Sequence, residues 1–240
     1  MASRFLLFPS RQLSLTQMAN AFQVSKTVIS DDVSIIDQAI AQEELGHISV
    51  DRGRSGGASY QPGVTSELRR GWLEKVASKI SDKERVLPGG LIYYSDIIFD
   101  PQYALPLGFS LASDFADRTP EVVMTSEVKG IPLALYVAHA LGVPLAVCRF
   151  RNRASDGPAV AVHFPTQSGD VRTMYMGTRQ LARGARVLII DDFMRGGSTA
   201  AGMLLVAREF GAEVIGTGVF IASVQPEKKA VSEYKALFQL

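Results

Sequence analysis

The sequence is poor in the residues and runs that several classes of protein require. Cys148 is the single cysteine among 240 residues, so the chain can form neither an internal disulfide framework nor a metal site built on several cysteines. No apolar run approaches the length of a membrane-spanning helix, and the apolar run near the start is far shorter than a signal peptide needs. We therefore expect a cytoplasmic protein without a membrane partner, in which Cys148 is a small core residue.

The chain also lacks an excess of charge of either sign. Its 25 lysines and arginines face 24 acidic residues, which leaves a net charge of +1. This balance excludes a protein that is basic over its whole surface, so any patch that binds a polyanion must be local. The apolar content of 47% is enough to fill the cores of two small domains or one large one.

Two adjacent carboxylates follow an apolar strand signal. Val187–Ile190 are four apolar, largely β-branched residues, a run that predicts a parallel strand buried on both faces. Asp191 and Asp192 come where this strand ends, at the sheet edge where ligands bind in open α/β folds. The alternative is an ordinary strand-to-helix turn in which the acids only cap the following helix.

A loop of small residues follows the acidic pair. Arg195–Thr199 read Arg-Gly-Gly-Ser-Thr, and such side chains let backbone amides close around an anion. A helix is predicted over Thr199–Phe210, closed by Gly211, and its amino end adds a positive dipole to the same place. The pattern predicts two hydroxyl groups on the carboxylates and a phosphate on the amides.

Two helices around a tight turn are predicted within Leu15–Ile40. Ser14 or Thr16 can cap the first helix, and Ser25 can cap the second. The apolar face of the second helix consists of Ile29, Val33, Ile36 and Ile40. This is helix-turn-helix spacing, and in such motifs the first turns of the second helix reach DNA bases and phosphates.

A hairpin is predicted next, with strands over His47–Val50 and Ala58–Gln61 and a glycine-rich turn between them. A helix-turn-helix followed by a hairpin is a winged helix, and arginines at the hairpin tip would touch the DNA backbone or minor groove. The predicted DNA-binding residues are Ser25, Lys26, Thr27, Ser30, Arg52 and Arg54. Residues 1–62 hold five basic and six acidic side chains, so a winged helix that binds protein instead of DNA is the alternative.

The rest of the chain alternates predicted strands and helices. Val64–Ile80 is an amphipathic helix that we expect to link two domains and to pack on one of them. The pattern after it fits βαβ units on a parallel sheet, so the fold class is α/β. Strands are predicted over Leu91–Tyr94, Glu121–Thr125 and Val143–Cys148, and a helix from Pro132 to Leu141, closed by Gly142. The predicted domains are 1–63 and 84–240, with 64–83 as the linker helix.

An arginine-rich stretch precedes the strand Val187–Ile190. Residues 149–186 hold seven arginines against two acidic residues, a local excess of five positive charges. Turn-forming residues at 154–157 and 166–170 predict loops, and the stretch resembles the loop that covers the pocket in type I phosphoribosyltransferases. Its charge would steer a polyanion toward that pocket; it is equally compatible with an extended DNA-binding surface or a solvated face.

Three segments resemble the purine operon repressors of Gram-positive bacteria: ERVLPGGLIYYSDI, VVMTSEVKGIPLA and GARVLIIDDFMRGGST. The last also resembles the phosphoribosyl pyrophosphate (PRPP) signature of type I phosphoribosyltransferases. The resemblance implies a winged helix-turn-helix domain followed by a type I phosphoribosyltransferase-like parallel sheet flanked by helices.

The resemblance also assigns roles to two loops. It implies that the acidic pair holds the ribose 2- and 3-hydroxyls and that the loop after it holds the 5-phosphate. A loop around Lys129, which carries a cis peptide in the family, would meet the pyrophosphate; without the resemblance, Lys-Gly after a strand is more often a solvated turn. The implied PRPP-binding residues are Lys129, Gly130, Asp191, Asp192, Phe193, Met194, Arg195, Gly196, Gly197, Ser198 and Thr199.

The sequence departs from the family pattern in two places. Gly196 and Ser198 stand where Ala or Thr and then Gly are commoner, and Ser198 makes that position less permissive of positive φ. The chain also stops at Leu240, before the family's usual C-terminal segment, so we expect either a truncated chain or an incomplete gene product whose sheet lacks an edge.

Two functions fit these motifs. The first is a transcriptional repressor of purine biosynthesis genes that binds operator DNA as a homodimer and takes PRPP as its inducer. It requires no cofactor and has no predicted catalytic or metal-ligating residue; PRPP is expected with or without Mg²⁺, and guanosine tetraphosphate is a competing ligand. The alternative is an active transferase that joins a purine base to PRPP. The repressor is favoured because an enzyme needs no helix-turn-helix and no segment is assigned to a nucleobase.

Overall fold

The computed structural model describes residues 1–51, 53, 56–88 and 91–240. Its helices and strands are, in chain order, α1 (Ala2–Leu7), β1 (Leu13–Ser14), α2 (Leu15–Phe22), α3 (Lys26–Gln42), β2 (Gly46–Val50), β3 (Gly57–Pro62), α4 (Ser66–Ile80), β4 (Val86–Leu87), β5 (Leu91–Ile92), α5 (Ser95–Ile98), α6 (Pro101–Ser113), β6 (Val122–Ser126), α7 (Gly130–Leu141), β7 (Leu145–Cys148), β8 (Ala159–Pro165), β9 (Val171–Gly177), β10 (Arg186–Met194), α8 (Ser198–Glu209), β11 (Glu213–Ala222) and β12 (Lys235–Gln239). In the part of the chain that the structure describes, no helix is both long and apolar enough to cross a membrane.

The first three helices and three strands form the predicted winged helix. Ser14 Oγ accepts a hydrogen bond from a backbone amide in the first turn of α2, and Ser25 Oγ does the same for α3. Gln23 ends α2 in a left-handed conformation with φ of 55°. The hairpin β2–β3 is antiparallel, and β1 pairs with the other side of β3. Buried residues of α3 pack on this sheet with Phe5 and Tyr60.

The linker helix α4 packs on the second part of the chain, as the sequence predicts. Val76 and Ile80 are buried in that core, and Trp72 is half-buried at its edge. Arg69 holds Asp114, which caps the end of α6, through two hydrogen bonds of 2.7 Å each. A bidentate pair of this kind fixes direction as well as distance, so α4 has a defined orientation on the sheet domain.

Five parallel strands form the centre of the second part, in the order β12-β11-β10-β6-β7. Helices α6 and α7 cover one face, and α8 covers the other together with the antiparallel hairpin β8–β9. Leu188 and Ile190 point into the core between the sheet and helices α6 and α7. Val187 and Ile189 point into the core between the sheet and α8 with the β8–β9 hairpin. The four-residue apolar run is therefore explained by burial on both faces, as predicted.

The structure corrects several predicted boundaries. The strand predicted over Val187–Ile190 extends from Arg186 to Met194, because β11 pairs with it along that length. The strand predicted over Leu91–Tyr94 is only the two-residue β5, since Tyr94 already precedes the short helix α5. The helix predicted over Thr199–Phe210 begins at Ser198 and ends at Glu209.

The winged helix touches the sheet domain at the carboxyl end of α7. Ser10 Oγ donates a hydrogen bond of 3.0 Å to the carbonyl of Ala140. Gly142, which has φ of +67°, ends this helix, and a Cβ there would lie 2.7 Å from the Pro9 carbonyl oxygen. Glycine is therefore required both by the backbone conformation and by the close approach of the two domains.

Candidate ligand-binding site

The acidic pair lies within β10, near its carboxyl end. Asp191 is only 4% exposed, and its Oδ1 accepts hydrogen bonds from the Asp192 amide at 3.1 Å and from Ser126 Oγ at 3.4 Å. Burial, and then the neighbouring charge of Asp192, raise the pKa of Asp191. Asp192 is half-buried. The two carboxylates thus sit at the ligand-binding edge of the sheet and do not cap a helix.

Gly130 allows α7 to begin directly over this pair. A Cβ at this position would lie 3.1 Å from Oδ1 of Asp191 and would also meet the hydroxyl of Thr125. Any larger residue would push the amino end of α7 away from the carboxylate. The family resemblance assigns Gly130 to the pyrophosphate loop, and the structure places it against Asp191.

The loop at residues 195–199, called the phosphate loop below, leads from β10 into α8. Gly197 has φ of +81° and immediately precedes α8, whereas Ser198 is the first residue of that helix. The position that needs positive φ is therefore Gly197, and Ser198 does not restrict the loop. The amino end of a 12-residue helix presents free amides and a positive dipole at this point.

A cavity of 970 Å³ opens above the phosphate loop. Eight of the predicted ligand residues line it, namely Asp191, Phe193, Met194, Arg195, Gly196, Gly197, Ser198 and Thr199. The turn between β8 and β9 forms the opposite wall with Thr166, Gln167 and Ser168, and Arg172 of β9 also lines the cavity. The arginine-rich stretch therefore does contain a segment that covers this pocket, built on a regular hairpin.

The loop of Lys129 lies on the other side of the acidic pair. The peptide between Glu127 and Val128 is cis, and the Glu127 carboxylate accepts a hydrogen bond of 2.8 Å from the Phe150 amide. Lys129 is exposed and does not line the 970 Å³ cavity. Its ammonium lies 4.7 Å from the ring centre of Tyr94, within the range of a cation–π contact.

Tyr94 joins the two predicted loops, and sequence reasoning did not single it out. Its hydroxyl donates a hydrogen bond of 2.5 Å to Oδ2 of Asp192. Its ring stacks on Phe193 with centres 6.3 Å apart and meets the edge of Phe220 at 5.9 Å. Burial, and then the charge of Asp192, raise the pKa of Tyr94 well above its usual value. Phe193 is thus a packing partner of the residue that covers Asp192.

Known protein families match both parts of the chain. The family described as "Bacterial purine repressor, N-terminal" matches residues 1–62. The family described as "Phosphoribosyl transferase domain" matches residues 109–240, which include both loops and the acidic pair.

Curated relatives share this arrangement over nearly the whole chain. The protein named "Probable purine biosynthesis transcriptional regulator PurR" of Streptococcus pneumoniae is 36% identical over 97% of this chain and 85% of its own length. The chain belongs to the PurR family of purine biosynthesis regulators. "Purine biosynthesis transcriptional repressor PurR" of Bacillus subtilis is 34% identical over 98% of this chain and 83% of its own. "Purine biosynthesis transcriptional activator PurR" of Lactococcus lactis is 30% identical over 97% and 86%.

Among solved structures, adenine phosphoribosyltransferase of Rhodothermus marinus is similar to this PurR-family chain with a TM-score of 0.60. The similarity covers 71% of this chain and 99% of the transferase, at 22% sequence identity. It confirms the phosphoribosyltransferase fold that the resemblance implies.

In the PurR-family winged helix, the predicted DNA-binding residues of α3 share one exposed surface. Ser25, Lys26, Thr27 and Ser30 are all exposed, although the Ser25 hydroxyl already caps the helix. Arg52 and Arg54, predicted at the hairpin tip, lie outside the described residues. The described part of the winged helix thus presents the first turn of α3 to solvent, as a DNA-reading helix requires.

The arginine-rich stretch is partly neutralised by ion pairs. Guanidinium nitrogens of Arg149 lie 3.4 Å from a carboxylate oxygen of Glu127 and 2.7 Å from one of Asp156. A guanidinium nitrogen of Arg186 lies 3.8 Å from a carboxylate oxygen of Glu121. Glu127 and Glu121 belong to other segments of the chain. The local positive excess that the sequence predicts is therefore smaller on the folded surface.

Proposed function

We propose that the chain is a DNA-binding repressor of purine biosynthesis genes whose sheet domain binds PRPP as an inducer. The observation that carries this proposal is the joining of a winged helix to a domain with an acidic pair and a phosphate loop at the carboxyl edge of its sheet. The names of the curated relatives support purine biosynthesis genes as the regulated genes. One relative is named a repressor and another an activator.

PRPP would be held by three groups of the predicted residues. The carboxylates of Asp191 and Asp192 would accept hydrogen bonds from the ribose hydroxyls. The phosphate loop, with the dipole of α8, would bind the 5-phosphate. Lys129 and the first amides of α7 would meet the pyrophosphate. Since Tyr94 already occupies one oxygen of Asp192, we expect the ribose to displace its hydroxyl or to share that carboxylate.

The described residues contain no group of three or more His, Cys, Asp or Glu side chains placed to hold a metal ion. The two neighbouring carboxylates are compatible with Mg²⁺, which prefers oxygen ligands and usually binds together with substrate phosphates. We therefore propose that PRPP binds with or without Mg²⁺, and that any Mg²⁺ enters on the pyrophosphate.

Induction requires that PRPP bind the DNA-free form more tightly than the DNA-bound form. We propose that PRPP, a polyanion bound near the DNA surface, releases the DNA by charge competition. Guanosine tetraphosphate carries pyrophosphate groups and a ribose, so it would compete with PRPP at the same loops. We further propose that the repressor is a cytoplasmic homodimer, because palindromic operators match two-fold symmetry.

Calorimetric titration with PRPP tests the ligand part of this proposal. Wild-type protein is expected to bind PRPP more tightly than ribose 5-phosphate, and Asp191→Ala and Asp192→Ala are expected to lose most of the PRPP affinity while still binding DNA. Wild-type affinity for PRPP in both variants would contradict the ribose-holding role of the acidic pair.

The second candidate is an active purine phosphoribosyltransferase. The geometry of the acidic pair and phosphate loop favours it, because both lie as a transferase would need them. We propose instead that the domain is a ligand sensor, because a DNA-binding regulator needs a winged helix and a transferase does not. Formation of a nucleotide from PRPP and adenine, guanine, hypoxanthine or xanthine would establish the enzyme.

A further inference from the structure

The segment at residues 223–231 packs against the phosphate loop, and hydrogen bonds join it to the last residue of β10 and to the loop itself. The Ser223 amide donates a hydrogen bond of 2.8 Å to the Met194 carbonyl, and the Ala230 amide donates one of 2.8 Å to the Gly196 carbonyl. Val231 is buried in one apolar cluster with Met194. The backbone of the phosphate loop therefore depends on the conformation of a segment about 30 residues further along the chain.

Lys229 closes this segment on itself. Its ammonium donates hydrogen bonds of 2.6 Å to the carbonyl of Ser223 and 2.6 Å to the carbonyl of Pro226. Hydrogen bonds from a charged donor are stronger than those from a neutral one. One side chain therefore fixes the start of the segment relative to Ala230, the neighbour of Lys229 in the chain.

The contact from Ala230 orients one peptide group of the phosphate loop. In a planar trans peptide, the carbonyl and the following amide point in opposite directions. Because the Gly196 carbonyl points toward Ala230, the Gly197 amide points away from the segment. Gly197 also packs closely here, since a Cβ on it would lie 3.3 Å from the Ala230 nitrogen. A shift of the segment would therefore rotate or displace the Gly197 amide.

We propose that Lys229 is a positioning residue of the ligand site, which holds segment 223–231 closed so that Ala230 keeps the Gly197 amide directed at the 5-phosphate. This inference rests on the proposed function, because it concerns the same phosphate loop. Lys229 does not line the 970 Å³ cavity, whereas Gln225 and Pro226 of the same segment do. Its loss should therefore weaken every ligand that carries the 5-phosphate by a similar factor.

Calorimetry with two probes separates this role from a direct contact. Lys229→Met is expected to weaken PRPP and ribose 5-phosphate equally, by roughly tenfold or more, since two charge-assisted hydrogen bonds are lost. Lys129→Met is expected to weaken PRPP far more than ribose 5-phosphate, which has no pyrophosphate. Lys229→Arg should restore most of the affinity. Lys228→Met, which removes the same charge at the exposed neighbouring position, should leave both affinities unchanged.

Hydrogen exchange of the Ala230 amide tests, without any ligand, whether Lys229 keeps the hydrogen bond from Ala230 to the Gly196 carbonyl in place. Exchange at Ala230 should be faster in Lys229→Met than in wild type or in Lys228→Met. The melting temperatures of the three proteins should be equal, so that the faster exchange reports a local change. Unchanged exchange at Ala230, or wild-type affinity of Lys229→Met for ribose 5-phosphate, would overturn the inference. If wild-type protein binds no PRPP, the proposed function fails, and the exchange comparison still decides whether Lys229 holds the segment.

Discussion

The hydroxyl of Tyr94 donates a 2.5 Å hydrogen bond to Oδ2 of Asp192, across 98 positions of the sequence. In the proposed function Asp192 accepts a hydrogen bond from a ribose hydroxyl. The Tyr94 hydroxyl therefore occupies part of the site proposed for the ribose. The same ring lies under the ammonium of Lys129. A single tyrosine thus contacts the residues proposed for both the ribose and the pyrophosphate.

Tyr94→Phe should strengthen PRPP binding by roughly tenfold or more, because a hydrogen bond to the charged Asp192 carboxylate, worth about 1.5 kcal/mol or more, no longer competes with the ribose. Calorimetry measures the change. Tyr93→Phe is the matched control, since the Tyr93 side chain is exposed and lies outside the site. Weaker binding by Tyr94→Phe would mean that the hydroxyl helps to hold the ligand.

Asp191→Asn should stabilise the protein and abolish most PRPP binding. Burial and Asp192 raise the pKa of Asp191, so the folded state holds a proton at pH values where the unfolded state has lost it. The contribution of Asp191 to the unfolding free energy of the wild type therefore falls as pH rises from about 4 through the raised pKa. The variant lacks this carboxyl and should gain on the order of 1 kcal/mol near neutral pH.

Thermal unfolding at several pH values checks this prediction. The melting temperature of Asp191→Asn should exceed that of the wild type at pH 7.5, and the difference should shrink as pH falls toward 5. Asp170→Asn, a change at an exposed turn of the β8–β9 hairpin, serves as the control. A lower melting temperature for Asp191→Asn at pH 7.5 would contradict the account of the buried carboxyl.

Lys26→Glu should weaken operator binding by more than tenfold at about 0.15 M salt and reduce the salt dependence by about one unit of slope, because a phosphate contact becomes a repulsion. Its PRPP affinity should not change. Lys83→Glu makes the same charge change at an exposed position outside the winged helix. Equal DNA affinities for the two variants would show that the first turn of α3 does not contact the DNA.

The elements that local patterns specify were predictable from the sequence. The apolar run Val187–Ile190, the capping serines Ser14 and Ser25, and the helix end at Gly142 each act over a few residues, and the structure has each of them. Helix α6 was not predicted, because Pro106 inside it removes a backbone donor and obscures the helical pattern.

The contacts that complete the site could not be predicted, because they join distant segments. Tyr94 meets Asp192 only after the β4–β5 hairpin and α5 fold against the sheet. The positive φ in the phosphate loop falls on Gly197 and not on Ser198, which depends on where α8 begins. The place of Ala230 behind Gly196 requires the return of the chain from β11.

Binding of the full chain to DNA from upstream of purine biosynthesis genes, at stated salt and with PRPP titrated in, decides whether the chain is a PRPP-induced repressor. We predict sequence-specific binding that PRPP releases and that ribose 5-phosphate at equal concentration does not. Specific binding that PRPP leaves unchanged, or the absence of specific binding, would contradict it.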